Sequence, residues 1–185
     1  MAPRLVLASR SPQRRAILEQ LGVSFEVVVP DVEEAAEGDP AALVRENASR
    51  KALAVPAASS TIVLGVDTLV ALEGRTLGKP RDERQALEFL EALSGRGHEV
   101  HSGVALVRPN GLLTAVATTR VRFRALGRPV LDWYLASGEW RERAGGYAIQ
   151  GRGAALVEAI EGDYWNVVGL PVSLLIALAP WLLES

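Results

Sequence analysis

The chain predicts an α/β protein, a mixed twisted sheet with flanking helices. Three observations carry that reading. Apolar runs of strand length alternate with helical patterns over most of the 185 residues. The first run, Arg4 to Ala8, is apolar nearly throughout, as in a strand covered on both faces. One long hairpin around Asn110-Gly111 interrupts the alternation, and a hairpin makes part of the sheet antiparallel.

The elements follow in order. After the first strand, Ser11 and Pro12 supply an N-cap and a first-turn proline for a helix from Pro12 to Leu21, stopped by Gly22. Phe25 to Val29 is a second strand and Pro30 to Gly38 an acidic loop. Asp39-Pro40 opens a helix that runs to about Val55. Thr61 to Leu72 is the most β-like run and ends at a Glu73-Gly74 turn. Leu77 to Pro80 is a loop, and Asp82 to Leu93 a helix closed by Ser94-Gly95. Glu99 to Arg108 and Leu112 to Arg124 are the hairpin arms. On the second arm Thr119, Val121 and Phe123 alternate with Arg120, Arg122 and Arg124, which is period two with one basic face. Pro129 to Ala136 is a short helix, Gly145 to Gly153 is glycine-rich, and Ala154 to Ile160 is a strand. Pro171 to Leu183 reads as a buried terminal helix.

Composition bounds the function. The length suits one good-sized core or two small lobes sharing a cleft, and 49% hydrophobic residues make an ordinary globular protein. A net charge of −2 gives no broad basic surface for duplex nucleic acid. The absence of cysteine excludes disulfides, thiolate metal sites and cysteine nucleophiles. Leu5 to Ala8 is too short for a signal-peptide core, and Val172 to Leu183 is too short to span a bilayer, so a cytoplasmic protein without a membrane partner is expected. Of 20 basic residues only Lys51 and Lys79 are lysines. Lysine is a compact point charge and arginine a planar fork, so a tight anion contact distinguishes them.

Four places carry chemistry. The strand–loop–helix at Ser9 to Arg15 puts cations at a helix N-terminus, where the dipole disfavours them unless an anion lies between. The alternative is an exposed helix with an Arg15–Glu19 pair. Asp67 lies in an apolar strand, where a carboxylate is costly without a cation, metal or donor; its alternative role is to cap a bulge beside Gly65. Lys79 precedes Pro80, which fixes its backbone as extended; the alternative is a solvated loop lysine, and Lys51 late in its helix fits a simple dipole role. The acidic loop offers Asp31, Glu33 and Glu34; most such runs are solvated surface, but one of them paired with Asp67 would suit Mg²⁺. His98 and His101 are three apart on a strand, on opposite faces, and read as structural. There is no Walker loop, dinucleotide fingerprint or nucleophile elbow. Together these residues are equipment for phosphoanhydride hydrolysis.

Seven segments in order resemble the Maf family of nucleoside triphosphate pyrophosphatases, also called septum formation inhibitor proteins. They are Leu7-Ala8-Ser9-x-Ser11-Pro12, Lys51-Ala52, Asp67-Thr68-x-Val70, Gly78-Lys79-Pro80, Ser94-Gly95-x-x-His98-x-Val100, Ala144 to Gly151, and Gly162 to Pro171. The resemblance covers nearly the whole chain, which implies a single domain over 1–185 with two lobes around a cleft, as in the related ITPase-like folds. It also implies a homodimer and metal-dependent hydrolysis, with Mg²⁺ or Mn²⁺, of a nucleoside triphosphate to the monophosphate and pyrophosphate. Asp67 matches the family's proton acceptor. Ser9, Arg14, Lys51 and Lys79 match its phosphate-binding positions, and Glu33 an acidic position at the metal with Asp67. Thr68 and Gln150 match the branch acting on dTTP and UTP, with Gln13 in the base pocket. Gln13 is a departure, because that branch often has arginine there. The alternatives are a 7-methyl-GTP pyrophosphatase and a nucleotide-binding regulator of cell division.

Overall fold

The computed structural model describes residues 4–56, 58 and 60–183. Among them the chain forms β1 (Arg4–Ala8), α1 (Pro12–Gln20), β2 (Phe25–Val28), α2 (Pro40–Leu53), β3 (Thr61–Leu72), β4 (Arg75–Leu77) and α3 (Glu83–Leu93). It continues with β5 (Gly97–Arg108), β6 (Gly111–Phe123), α4 (Arg128–Leu135), β7 (Val157–Glu161), α5 (Tyr164–Val168) and α6 (Val172–Leu178). The strand order is β2-β1-β3-β5-β6-β7, with β4 pairing β3. β1 runs parallel to β2 and β3, whereas β4 and β7 pair antiparallel, so the sheet is mixed as expected.

The helix starts obey the capping chemistry. The side chains of Ser11, Asp39 and Asp82 accept from the backbone N–H groups of Arg14, Ala42 and Gln85, and prolines open α1 and α2. Two segments differ from expectation. Gly151–Leu156 winds into a 3-10 turn, so the strand begins only at Val157. Gly151 has φ 70°, and a Cβ on Gly153 would collide with the Ala148 carbonyl, so this stretch folds back on itself. The terminal helix ends at Leu178, before Pro180, which cannot continue it. Leu175 is the buried residue of α6, so the segment is a half-exposed helix and not a buried one. β4 and α5 were not anticipated, being too short to show a period.

The chain divides into two compact units. The first comprises Met1–Thr68, Ser102–Ala117 and Gly169–Ser185. In it β1 lies between β2 and β3, Leu7 opposite Val27 on one side and Leu64 on the other. Helix α2 packs on the sheet through small residues, with Ala48 and Ala52 against Val6, Ala8, Val63 and Ala105. Two glycines make the approach this close. A Cβ on Gly65 would meet the Ala48 carbonyl oxygen and the Ala52 amide, and one on Gly103 would meet the Val44 carbonyl.

The second unit comprises Leu69–His101 and Thr118–Val168. Its core joins Val100, Val121 and Phe123 of the hairpin to Leu90 and Leu93 of α3 and Leu131 and Tyr134 of α4. His98, Phe123 and Tyr147 pack edge to face at 4.8–5.4 Å. The arginine face of β6 is exposed and paired within the sheet: Arg120 meets Glu99, Arg122 meets Glu158, and Arg124 donates to the Val157 carbonyl. No helix among the described residues is long and apolar enough to cross a membrane.

Candidate active site

The first unit gathers most of the residues singled out by sequence. β3 presents Asp67, which is 5% exposed. Its Oδ1 accepts from Lys51 Nζ at 2.6 Å, and its Oδ2 accepts from Asn47 Nδ2 at 3.2 Å. Lys51 is buried too, and its Nζ also meets Glu34 Oε1 at 2.6 Å. One ammonium is thus held by two carboxylates. Lys51 therefore does more than complement the α2 dipole: the close seat of α2 on Gly65 brings it to the buried acid. β3 keeps regular register with β1 through Gly65.

Arg14 completes this charged cluster. Its Nε donates to the Gly169 carbonyl at 2.8 Å, Nη1 to Ser9 Oγ at 3.1 Å and Nη2 to Thr68 Oγ1 at 3.1 Å. Thr68 in turn shares a 2.8 Å hydrogen bond with Ser102. Burial weakens the hold of Arg14 on its proton, while the nearby carboxylates of Asp67 and Glu34 strengthen it. Three of the five guanidinium N–H donors thus tie Arg14 to Gly169, to the Ser9 loop and to Thr68 of β3, and the charge stays within the field of the acids. Ser9 Oγ also accepts from the Ser11 amide at 3.2 Å, which fixes the turn before α1.

Other sequence candidates lie elsewhere. Gln13 is half-buried and accepts from Ser11 Oγ at 3.2 Å. Arg15 pairs with Glu19 at 2.8 Å on the exposed face of α1, the simple helix-surface pair. Glu33 is exposed and offers its backbone carbonyl to Arg50, whereas it is Glu34 whose carboxylate reaches Lys51. Lys79 and Gln150 belong to the second unit. Lys79 pairs with Glu142 at 2.9 Å, both side chains well exposed, and Glu142 sits at φ 58°, in the left-handed region rarely used outside glycine. Gln150 is exposed and precedes the Gly151 3-10 turn. His98 bonds Tyr147 and His101 bonds Thr118, structural roles as expected.

Sequence reasoning missed Asn47. Its signal was available: it lies four residues before Lys51, hence on the same helix face, in a helix whose other buried residues apart from Lys51 are apolar.

A buried acid–lysine pair, a buried arginine and a capped strand–loop–helix thus gather in the first unit. The chain belongs to the Maf family: the family described as Maf-like protein matches residues 4–180. It is 50% identical over 171 residues to a dTTP/UTP pyrophosphatase of Symbiobacterium thermophilum, covering 91% of this chain and 88% of that one. It is 47% identical to a dTTP/UTP pyrophosphatase of Deinococcus radiodurans over 96% of this chain and 92% of the relative. It is 48% identical to one of Thermus thermophilus, over 95% and 93% respectively.

Proposed function

We propose that this chain hydrolyses nucleoside triphosphates, dTTP and UTP foremost, to the monophosphate and pyrophosphate. The observation that carries the reading is the buried Asp67, held at one oxygen by Lys51 and at the other by Asn47. Pure nucleotide binding has no need of a buried acid poised beside cations, whereas a general base does.

Asp67 takes the proton of the water that attacks the α-phosphorus. Lys51 and Arg14 place positive charge where the triphosphate's charge accumulates. Ser9 is held by Arg14 and Ser11 at the mouth of the helix N-terminus, where backbone donors suit phosphate oxygens. Lys79 keeps the phosphate role that the family resemblance implies and exchanges Glu142 for the substrate's oxygens. Thr68, Gln13 and Gln150 carry base selection on the same resemblance.

A divalent cation fits the donors present. The carboxylates of Asp67 and Glu34 already converge on one ammonium, and two hard oxygens with room for water and phosphate are what Mg²⁺ accepts. Glu34 and Asp67 would hold it, with Glu34 in place of the expected Glu33. When bound, Mg²⁺ or Mn²⁺ supplies Lewis-acid polarisation of phosphate oxygens. The family resemblance further implies a homodimer, which light scattering of the purified protein checks.

The test is pyrophosphate release from dTTP, UTP, CTP, GTP and 7-methyl-GTP with Mg²⁺ and with Mn²⁺. Preference for dTTP and UTP is expected. Preference for 7-methyl-GTP would replace the substrate, and folded protein that binds nucleotide without turnover would replace the activity.

A further inference from the structure

Asn47 is 1% exposed, and its amide has three partners. Oδ1 accepts from the Ala35 amide at 2.7 Å, while Nδ2 donates to the Ala35 carbonyl at 3.0 Å and to Asp67 Oδ2 at 3.2 Å. Those partners fix which end is oxygen and which is nitrogen, because only Nδ2 can donate to a carbonyl and a carboxylate. On one side the amide pairs with both backbone groups of a residue in the acidic loop, next to Glu34. On the other it holds the oxygen of Asp67 that Lys51 leaves open. Lys51, one turn further along α2, binds Asp67 Oδ1 and Glu34.

We infer that Asn47 is a positioning residue that locks the Asp67 carboxylate and the Glu34 loop into one mutual geometry. The inference rests on Asp67 being the base of the proposed hydrolysis. A tie between helix and loop needs only the two bonds to Ala35; the third fixes the rotation of the acid. With both oxygens held, Asp67 cannot turn about its terminal torsion without breaking a buried hydrogen bond. A base misplaced by about 1 Å costs on the order of a hundredfold in rate. The loop bonds carry the same precision to Glu34, so that both carboxylates meet a substrate in register.

Two variants separate the two halves of this role. Asn47→Leu removes all three bonds and puts an apolar side chain of similar size in their place. Asn47→Asp keeps an acceptor for the Ala35 N–H, removes the donor to Asp67 and to the Ala35 carbonyl, and sets a like charge against Asp67. Steady-state rates on dTTP, thermal midpoints and hydrogen exchange at the Ala35 amide are measured for both, with Asp67→Asn alongside.

In Asn47→Leu, kcat is expected to fall about tenfold with KM within about twofold, and the Ala35 amide to exchange faster. In Asn47→Asp, Ala35 stays protected while kcat falls about a hundredfold. Wild-type kcat in either variant overturns the inference. So does a rate loss that disappears when scaled to the folded fraction, or unchanged Ala35 exchange in Asn47→Leu. If Asn47→Leu does not fold, Asn47→Asp decides alone. An inactive Asp67→Asn beside fully active Asn47 variants removes only this inference. An active Asp67→Asn removes the reading of Asp67 and the inference with it.

Discussion

The two compact units bury polar groups under opposite rules. In the first, the buried polar set includes Arg14, Lys51 and Asp67, three groups that carry charge. In the second it is His98, His101, Thr119 and Asn166, and burial keeps His98 neutral by lowering its pKa to about 4. The second unit also bears Lys79, but at the surface beside Glu142. Buried charge is costly and destabilising unless matched, so a fold retains it where chemistry requires it. Buried neutral polar groups serve the fold: Asn166 ties the Val100 carbonyl to Thr119, and Thr119 bonds Asp163. Buried charge thus collects in the first unit, and four experiments bear on the contrast.

The largest effect is expected from Asp67→Asn. It keeps the shape of the side chain but not its basicity, and kcat for pyrophosphate release should fall by about a thousandfold, the scale of a lost general base. Retained turnover would move the chemistry away from the buried charges.

Next is Lys51→Met, which leaves Asp67 buried without its cation. A loss of about 3 kcal/mol in urea unfolding, together with a rate loss of about a hundredfold, is expected. Adding Asp67→Leu should restore stability and leave activity absent, which separates the cost of charge from its use.

His98 tests the second unit. Its folded pKa of about 4 lies below the ordinary 6.5, so the unfolded chain takes up a proton that the folded chain refuses. Its contribution to stability is therefore intact above pH 6.5 and drains as pH falls towards 4, by up to roughly 3 kcal/mol. Urea titrations of wild type and His98→Phe across that range should converge as pH falls. Parallel curves would show that the histidine is not held neutral.

The smallest effect is expected from Lys79→Ala. An exposed pair contributes at most about 1 kcal/mol, so the unfolding midpoint should barely move. KM for dTTP should rise about tenfold through the lost phosphate contact, with kcat less affected. A large stability loss would erase the distinction between the two lysines.

Much of this was legible in the chain. Alternating apolar runs gave the strands, Ser11, Asp39 and Asp82 gave the helix starts, and a lone carboxylate in an apolar strand pointed to Asp67 before any fold was known. What was not legible depended on contacts distant in sequence. That the Glu34 carboxylate reaches Lys51, while Glu33 offers Arg50 its backbone carbonyl, is set by how the loop lies across α2. The bracing of Arg14 depends on the Gly169 carbonyl, 155 residues away in the chain. The late start of β7 reflects glycines folding the backbone onto itself, which period-two reasoning does not detect. Asn47 was visible as a polar residue one turn from Lys51, but its meaning required the position of Ala35.

The glycines beneath α2 also bear on how this protein can be engineered. Replacing glycine by alanine is a routine route to heat resistance, because it narrows the freedom of the unfolded chain. Gly97 has open space around its missing Cβ and ordinary backbone angles, so the route is available there. Gly65 and Gly103 have the same ordinary angles, yet the methyl group would strike the carbonyls of α2. A thermostabilisation campaign that treated the three alike would lift the helix that carries Lys51 and Asn47, and would exchange catalysis for nothing. The separation between that helix and the sheet is set by two hydrogens, and the library should leave both positions fixed.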